Sequence, residues 1–355
     1  MSVLPQGSTI GILGDGQLGR MLALAAANLG FDVVVLGPND DSPAGRVAAH
    51  NMVADYLDKD ALAEFSVRCD RATLEFENVP VHSLELLQDM GSTVYPGPRS
   101  LEICQDRHLE KRFARETGVH TADYWVVSSE GDLRAAMTEI AGEGILKTRR
   151  DGYDGHGQRR VKRSAESMES AFADLNGMPC VLEALVPFSG EISVVIARSA
   201  SGEIRAYDPA ENVHKHGILH TSRVPARFGD DVLKAAQAAA TQLITALEHV
   251  GVLACEFFVL EDGTLLLNEM APRVHNSGHW TPEACLTGQF EQHIRAIAGW
   301  PLGPVDRVMD AEMENLLGDD VLKAFGPSGP HEAITLYGKR DMRPGRKMGH
   351  VVRKV

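Results

Sequence analysis

Paired cysteines are missing from this chain. Its five thiols, Cys69, Cys104, Cys180, Cys255 and Cys285, are scattered, odd in number and never spaced C-x-x-C. They give no basis for a disulfide framework or a Cys-paired zinc site, and read as reduced core thiols. A long apolar run is also missing: nothing in the sequence approaches the roughly 20 residues that span a bilayer. The first residues, MSVLPQGST, have no charged region followed by an apolar core, so no secretory signal is read and a cytoplasmic protein is expected. Cations are in deficit. Lys plus Arg total 35 against 49 Asp plus Glu, a net charge of -14. Such a chain is repelled by phosphate backbones and anionic lipid, so neither nucleic acid nor a membrane surface is an expected partner.

What cation there is lies in two places. Residues 147–163 hold seven Lys or Arg and residues 339–354 seven more, together 14 of the 35. Both stretches carry the Gly and Pro of shaped loops, which favours local sites for phosphate-bearing small molecules over two merely solvated segments. The 44% hydrophobic and 24% charged content is that of an ordinary globular protein, and 355 residues allow two or three domains.

Residues 14–19 read GDGQLG, between an apolar strand (8–14) and a helical pattern (Gln17–Asn28), with a second strand at 32–36. This βαβ unit could hold an anion at the helix N-terminus. An NAD site also wants an acid at the end of the second strand. Here that strand runs VVVLGPNDD, with Gly37 and Pro38 in its place, so a nicotinamide dinucleotide is not expected. Glycines serving only strand-to-helix packing remain an alternative.

Strand and helix go on alternating through the first hundred residues, with a helix near 59–65, a strand RATLEFEN, a helix PVHSLELLQDM and a short strand TVYPGP: a doubly wound α/β pattern. Ser100 is expected to cap a helix that runs to Thr117 and stops at Gly118. A second unit follows, with strands YWVV, GILKT, RRVKR and CVLEALV and helices at 129–141 and 164–175. From Ser189 long hairpins take over, around a helix at about 230–249. A further helix is expected from Thr281-Pro282 to Ala298, and two strands in the tail around RDMRPGRKMGH.

The hairpin ACEFFVLEDGTLLLNEMAPR is the most informative segment. If Asp262 and Gly263 form a two-residue turn, Glu261 faces Thr264 and Glu256 faces Glu269 on one face of the ladder. Their Cβ atoms would be about 5 Å apart among apolar neighbours. Either one carboxyl holds a proton or a cation sits between them, and a pair of acids suits Mg²⁺ that also binds substrate phosphates. The competing reading is a register slip that leaves one Glu in solvent. The loop RRDGYDGHGQ is not a Walker A loop, but as a flap beside the strand residue Lys147 it could cover a triphosphate.

Together these segments resemble the ATP-grasp ligases. More narrowly, GILGDGQLGRM, GYDGHGQ, NEMAPRVHNSGHWT and LYGK…RPGRKMGH resemble the 5-(carboxyamino)imidazole ribonucleotide synthases, in the right order over nearly the whole chain. The resemblance implies an α/β chain, α+β in its C-terminal half. A Rossmann-like domain (1–106) would precede an ATP-grasp lid subdomain (107–187) and a large subdomain with the basic tail (188–355). It implies a cytoplasmic, homodimeric ligase that uses ATP and Mg²⁺. The enzyme would carboxylate 5-aminoimidazole ribonucleotide with bicarbonate, through carboxyphosphate, in purine biosynthesis.

It also implies roles. Arg107 and Lys147 would meet the ATP phosphates under a flap of Gly152, Tyr153, Asp154, Gly155, His156, Gly157 and Gln158. Glu183, Ala184, Leu185 and Val186 would form the hinge that reads adenine. Glu191 would take the ribose hydroxyls, with His214 and Asn268 near the nucleotide. Glu256 and Glu269 would hold Mg²⁺. Arg273, Lys147 and Asp154 would be catalytic, Arg273 steadying bicarbonate and the carboxyphosphate charge. Gly16, Gln17, Leu18, Glu75, Tyr153, Asp154, Arg273, Asn276, Lys339 and Arg346 would contact the aminoimidazole ribonucleotide. Asp151 and His156 depart from the small residue and the cation expected at those flap positions. His275 and His279 read as hydrogen-bonding or structural rather than metal-binding. Rival functions are a sister ATP-grasp transformylase or biotin carboxylase, an NAD oxidoreductase, and a nucleotide sensor without turnover.

Overall fold

A computed structural model describes residues 2–152, 156–326, 329 and 331–355. The chain begins with a parallel layer of β1 (Thr9–Leu13), α1 (Gln17–Asn28), β2 (Asp32–Gly37), β3 (His50–Val53), α2 (Lys59–Arg68), β4 (Arg71–Leu74) and α3 (Val81–Asp89). Its strand order is β3-β2-β1-β4. β4 is buried throughout, and β1 and β2 after their first residues, as a parallel sheet covered on both faces requires. The half-exposed β3 carries no such signal and is not legible in the sequence. The segment TVYPGP contributes only an isolated bridge from Ala72 to Val94.

The helix expected from Ser100 to Thr117 is two helices, α4 (Pro98–Gln105) and α5 (Arg107–Glu116). Gly97 precedes Pro98 at the first start, so Ser100 is not the cap. The chain then turns extended at Asp106 (φ -117°, ψ 109°), whose carboxylate caps the second helix by accepting from His108 N (3.0 Å) and Leu109 N (3.4 Å). Arg149 binds the same carboxylate through Nη2 at 2.6 Å, which ties this break to the next unit.

That unit is β5 (Tyr124–Val127), α6 (Glu130–Glu139), β6 (Gly144–Thr148), β7 (Gln158–Val161), α7 (Ala165–Asp174) and β8 (Cys180–Ala184). Its antiparallel order is β5-β8-β6-β7. The remainder builds a nine-stranded antiparallel sheet. It contains β9 (Gly190–Arg198), β10 (Ile204–Ala206), β11 (Ala210–Lys215) and β12 (Ile218–Val224). After α8 (Asp230–Ala246) come β13 (Gly251–Val259), β14 (Leu265–Ala271), α9 (Thr281–Ala284), α10 (Gln289–Ala298), β15 (Ala311–Leu317), β16 (Glu332–Leu336) and β17 (Lys347–Lys354). The main path runs β14-β13-β9-β11-β12-β15-β17-β16, with β10 pairing β9. The expected helix from Thr281 to Ala298 is interrupted at residues 285–288, where Cys285 bridges to Arg307 and the Thr281 hydroxyl turns to accept from Gln289 N (2.9 Å). Among the described residues no helix is long and apolar enough to cross a membrane.

The β13–β14 hairpin differs from its expected register near the turn. Leu260 N donates to Thr264 O (2.9 Å), and Gly263 takes φ 83°, so the loop has one more residue than a two-residue turn. Val259, Phe258 and Phe257 therefore pair with Leu265, Leu266 and Leu267. A bulge then intervenes between Glu256 and Phe257, opposite Asn268, and from there Glu256 pairs with Glu269 and Cys255 with Met270. Two offsets cancel, and the acids face each other as expected, for a reason the turn alone does not supply.

The first domain is not a separate ball. Ile10, Leu18 and Leu22 share one apolar cluster with Val195, Trp280, Ile294 and Ile297. His293, fully buried on α10, pins the seam: its Nδ1 accepts from Val252 N (3.0 Å) and its Nε2 lies 2.8 Å from Thr73 Oγ1. Since a backbone N–H can only donate, the ring is neutral with its proton on Nε2.

Burial, with His249 adding to it, pushes His293 down to about 3. The unfolded chain, with an ordinary histidine near 6.5, binds more protons than the folded one between those values, so this contribution is lost as pH falls below about 6.5. Urea midpoints should therefore drop from pH 7 to pH 5. His293→Phe should flatten that slope by up to about 1.4 kcal/mol per pH unit while costing roughly 2–4 kcal/mol at pH 7 through the orphaned Val252 and Thr73 groups. An unchanged slope would show that His293 is not the titrating group.

Candidate active site

Two adjoining cavities open between the three units. One, of about 240 Å³, is lined by Arg107, Lys147, Gln158, Glu191, His214, Glu256, Asn268 and Glu269. The other, of about 800 Å³, is lined by Gln17, Leu18, Glu75, Gly152, Arg273, Lys339 and Arg346. Arg107, His156, Glu269, His275, Asn276 and Lys347 belong to both walls. The smaller cavity thus gathers Arg107, Lys147, Gln158, Glu191, His214, Asn268 and both acids of the residues expected at a nucleotide, while Gly152 lines the larger cavity with most of those expected at a ribonucleotide. Tyr153, Asp154 and Gly155 lie outside the described residues. Gly152, His156, Gly157 and Gln158 flank that stretch, and Gly157 (φ 73°) lets Thr148 N donate to its carbonyl at 2.8 Å.

The floor of the smaller cavity is a buried charge cluster. Glu183 reaches from β8 to Lys147 Nζ at 2.9 Å and to Lys111 Nζ at 3.1 Å. Burial opposes its charge, but the two lysines outweigh it and hold the carboxyl at about 2. Burial also pulls Lys147 below its ordinary value, with Glu183 opposing. So Glu183 acts on this site through its side chain. In the hinge, Ala184 N and Leu185 N are already bonded to Asp123 O (2.8 Å) and Glu143 O (3.1 Å), and neither residue, nor Val186, lines either cavity.

Across the floor Glu256 and Glu269 stand opposed. Burial first, then the Glu269 charge, pushes Glu256 up to about 7. Arg107 Nη1 lies 3.2 Å from Glu269, and Lys147 Nζ is 3.5 Å from Asn268 Oδ1. His214 Nδ1 is 3.0 Å from Glu191; burial pulls the imidazole down, but Glu191 and then Glu256 outweigh it and keep it above its ordinary value. A divalent cation fits between the acids, since it would relieve a repulsion already visible in Glu256. Among the described residues no cluster of three or more His, Cys, Asp or Glu could hold such an ion alone. Mg²⁺ is suited to such a pair, since it commonly completes its shell with water and substrate phosphate. His275, pushed down to about 3 by burial, Arg273 and Lys347, places Nδ1 2.9 Å from Ser277 Oγ and 3.7 Å from Glu256 Oε1, and His279 is buried beside Gln289, so both histidines stand in hydrogen-bonded surroundings.

The glycine turn of the first domain holds a protein anion. Glu75 Oε1 accepts from Gly16 N (2.6 Å) and Oε2 from Gly19 N (2.7 Å). A Cβ on Gly14 or Gly16 would sit 2.2 or 2.5 Å from the Glu75 side chain, which explains both glycines. Gly37, in turn, faces the Asp15 carboxylate, which accepts from Asn39 N at 2.9 Å. Two carboxylates therefore stand where a pyrophosphate would need donors. Gly16 cannot offer its N–H to a ligand phosphate, and only Gln17 and Leu18 of the three reach the cavity.

Sequence reasoning missed Glu77, which ion-pairs with Arg273. Burial pushes Glu77 up, but Arg273 outweighs it and holds the carboxyl at about 2. Its two-residue spacing from Glu75 in LEFEN was the available signal. Nothing in the sequence marked Glu110 or Lys111, and Lys347 was marked only as one cation of the basic tail.

Comparison with known proteins agrees with this layout. Family models match in three segments: the ribonucleotide synthetase preATP-grasp domain at 7–105, the ATP-grasp domain at 112–290 and the phosphoribosylaminoimidazole carboxylase C-terminal domain at 311–353. The chain is 52% identical over 352 residues to the N5-carboxyaminoimidazole ribonucleotide synthase of Brucella melitensis, covering 99% of this chain and 97% of that protein. Its fold superposes with TM-score 0.95 and 34% identity on the Staphylococcus aureus N5-carboxyaminoimidazole synthetase complexed with ADP, covering 100% and 95% of the two chains. The Aspergillus clavatus N5-carboxyaminoimidazole synthase, in complex with ADP and 5-aminoimidazole ribonucleotide, superposes with TM-score 0.91 and 29% identity over 99% and 94%.

The floor cluster is testable by itself. Glu183→Gln leaves two buried ammonium groups without their counter-ion, which should cost on the order of 3–5 kcal/mol in urea unfolding. A loss below about 1 kcal/mol would mean that water already screens the cluster.

Proposed function

The chain belongs to the N5-carboxyaminoimidazole ribonucleotide synthase family of ATP-grasp enzymes, and we propose that its two cavities divide that family's reaction as follows. The reaction is the ATP-dependent carboxylation of 5-aminoimidazole ribonucleotide in purine biosynthesis. The observation that supports the division is the opposed pair Glu256 and Glu269, set between the phosphate-binding cations of one cavity and the basic wall of the other.

ATP occupies the smaller cavity. Glu191 accepts from its ribose hydroxyls, while His214, oriented by Glu191, sits beside the phosphates. With Ala184 N and Leu185 N engaged and the hinge outside the cavity wall, adenine would have to extend past the cavity to meet Val186 N–H. Arg107 and Lys147 draw the negative charge of the phosphates, with Gly152 to Gln158 as the covering flap. Mg²⁺ held by Glu256 and Glu269, with Asn268 beside them, supplies charge neutralisation on the transferring phosphoryl group. Bicarbonate is the phosphoryl acceptor: its oxygen bonds phosphorus as the bond to ADP breaks, giving carboxyphosphate. Arg273, held in place by Glu77, steadies that anion at the boundary of the cavities. The exocyclic amine of the aminoimidazole ribonucleotide then bonds the carboxyl carbon, phosphate leaves, and the amine proton passes to solvent or to a flap residue such as Asp154. Lys339, Arg346 and the Gln17 and Leu18 amides hold the ribose phosphate, and Glu75 and Asn276 the rest of the ribonucleotide. The enzyme acts as a homodimer, which sedimentation would refute by giving the mass of one chain.

ADP release should require both bicarbonate and aminoimidazole ribonucleotide. Turnover with formate in place of bicarbonate would favour a transformylase instead. Lys339→Ala or Arg346→Ala should raise the KM for the ribonucleotide, by roughly 1.5–3 kcal/mol, more than the KM for ATP; equal changes would misplace these residues.

Glu256→Gln and Glu269→Gln should each lower turnover at least about a hundredfold, since a charge clamp on a transferring phosphoryl group is lost. Both should keep or raise the melting temperature of the ligand-free enzyme, because the repulsion between the acids goes with the charge. Near-normal turnover at saturating Mg²⁺ in either variant would remove the pair from the metal site.

A further inference from the structure

We propose that Glu110 and Lys111, consecutive on α5, are positioning residues that hold the β14 bulge in place, and through it the facing of Glu256 and Glu269. The inference rests on the metal reading of that pair given above.

β14 is the edge of the nine-stranded sheet, so its outer N–H and C=O groups have no strand partner. α5 and the loop after it supply partners at the bulge. Leu267 N donates to His120 O at 2.7 Å. Lys111 Nζ donates to Asn268 O at 3.4 Å, and Glu110 Oε1 accepts from Met270 N. Asn268, the residue without a cross-strand partner, is thus gripped on both sides. Glu110 and Lys111 are each only 1% exposed. An ordinary edge strand would not need a buried acid and a buried base to satisfy two backbone groups.

The register explains the need. The pairing set by the turn, continued without a bulge, places Asn268 across from Glu256. Because side chains alternate, Glu269 would then turn to the face of Cys255, Phe257 and Leu267, which packs with α8. One extra residue at Asn268 returns Glu269 to the cavity. Bulges can migrate along a strand, and two backbone anchors flanking Asn268 fix this one. Lys111 also shares Glu183 with Lys147, so the same helix that fixes the acids sets the phosphate-binding lysine.

The test is a comparison of Glu110→Leu with Glu110→Gln, whose amide oxygen can still accept from Met270. Mn²⁺ binding in the presence of a non-hydrolysable ATP analogue is read by electron paramagnetic resonance, beside amide hydrogen exchange at 267–270 in the ligand-free enzyme. Glu110→Leu should weaken Mn²⁺ binding at least about tenfold, the usual effect of losing an outer-shell partner, and speed exchange at Met270. Glu110→Gln should stay within about threefold of the parent. A folded Glu110→Leu with unchanged Mn²⁺ affinity and exchange overturns the proposal, as does Glu110→Gln failing equally. If Glu110→Leu does not fold, Lys111→Met, which frees the Asn268 carbonyl, must show the same two changes or the proposal falls. Glu269→Gln is the control: if it leaves Mn²⁺ binding intact, the metal reading fails, while exchange at 267–270 still decides the clamp.

Discussion

Two carboxylates forced to face each other in a cleft are the constraint around which this site is arranged. Isolated, Glu256 and Glu269 would repel, and burial has already driven Glu256 far from its ordinary range. The surroundings supply the compensation in layers. Arg107 touches Glu269, His214 answers Glu191, and Lys147 is ion-paired beneath them with Glu183. None of these cations sits between the two acids. The field is left positive at the walls and negative at the centre, an arrangement suited to a divalent ion that arrives with a polyphosphate.

The first domain solves the opposite problem. Its α1 N-terminus attracts anions, and the protein answers with Glu75. The GDGQLG motif is therefore glycine-rich because a carboxylate is folded against it. Asp15 against Gly37 extends the same logic to the second strand, and it is why the acid that a dinucleotide needs is absent there. A fingerprint that reads as a cofactor motif serves here to present Glu75, with its remaining lone pairs, to the neighbouring cavity.

The parts of the fold legible in the sequence were those with strong periodicity or strong turn chemistry. The buried strands of the first layer and the helices α6 to α8 followed from residue pattern, and the residues named through the family resemblance mostly line the two cavities, whereas the Glu256–Glu269 facing was expected from a two-residue turn and arises instead from a three-residue loop offset by the bulge at Asn268. β11 and β12 did not read as strands, because their inner faces carry Asn212, His214 and Ser222 rather than apolar residues. A strand that lines a polar site loses the alternation by which strands are recognised. The break at Asp106 was missed because a capping acid between two helical patterns looks like a surface residue until its Arg149 partner, 43 positions away, is placed. Likewise Glu110 and Lys111 look like ordinary helix charges, and only the edge of β14 reveals what they hold.

The shared wall of the two cavities explains why the segments must close on one another. Glu269 belongs to both cavities, so the acid pair borders the cavity that Arg273 lines. Arg273 lies just past the end of β14, in the turn after Ala271, but its partner Glu77 comes from the first domain. The basic tail reaches the same wall through Lys347 at the start of β17, and the loop before it is tied to the first domain by Arg340 on Asp41 and Arg46 on the Gly338 carbonyl. Each reacting group is therefore oriented by a residue from a different part of the chain. Separate rotation of the first domain would break the Arg273–Glu77 pair and open the substrate cavity together. The continuous apolar core beneath α1 and α10, with His293 at its seam, prevents that rotation.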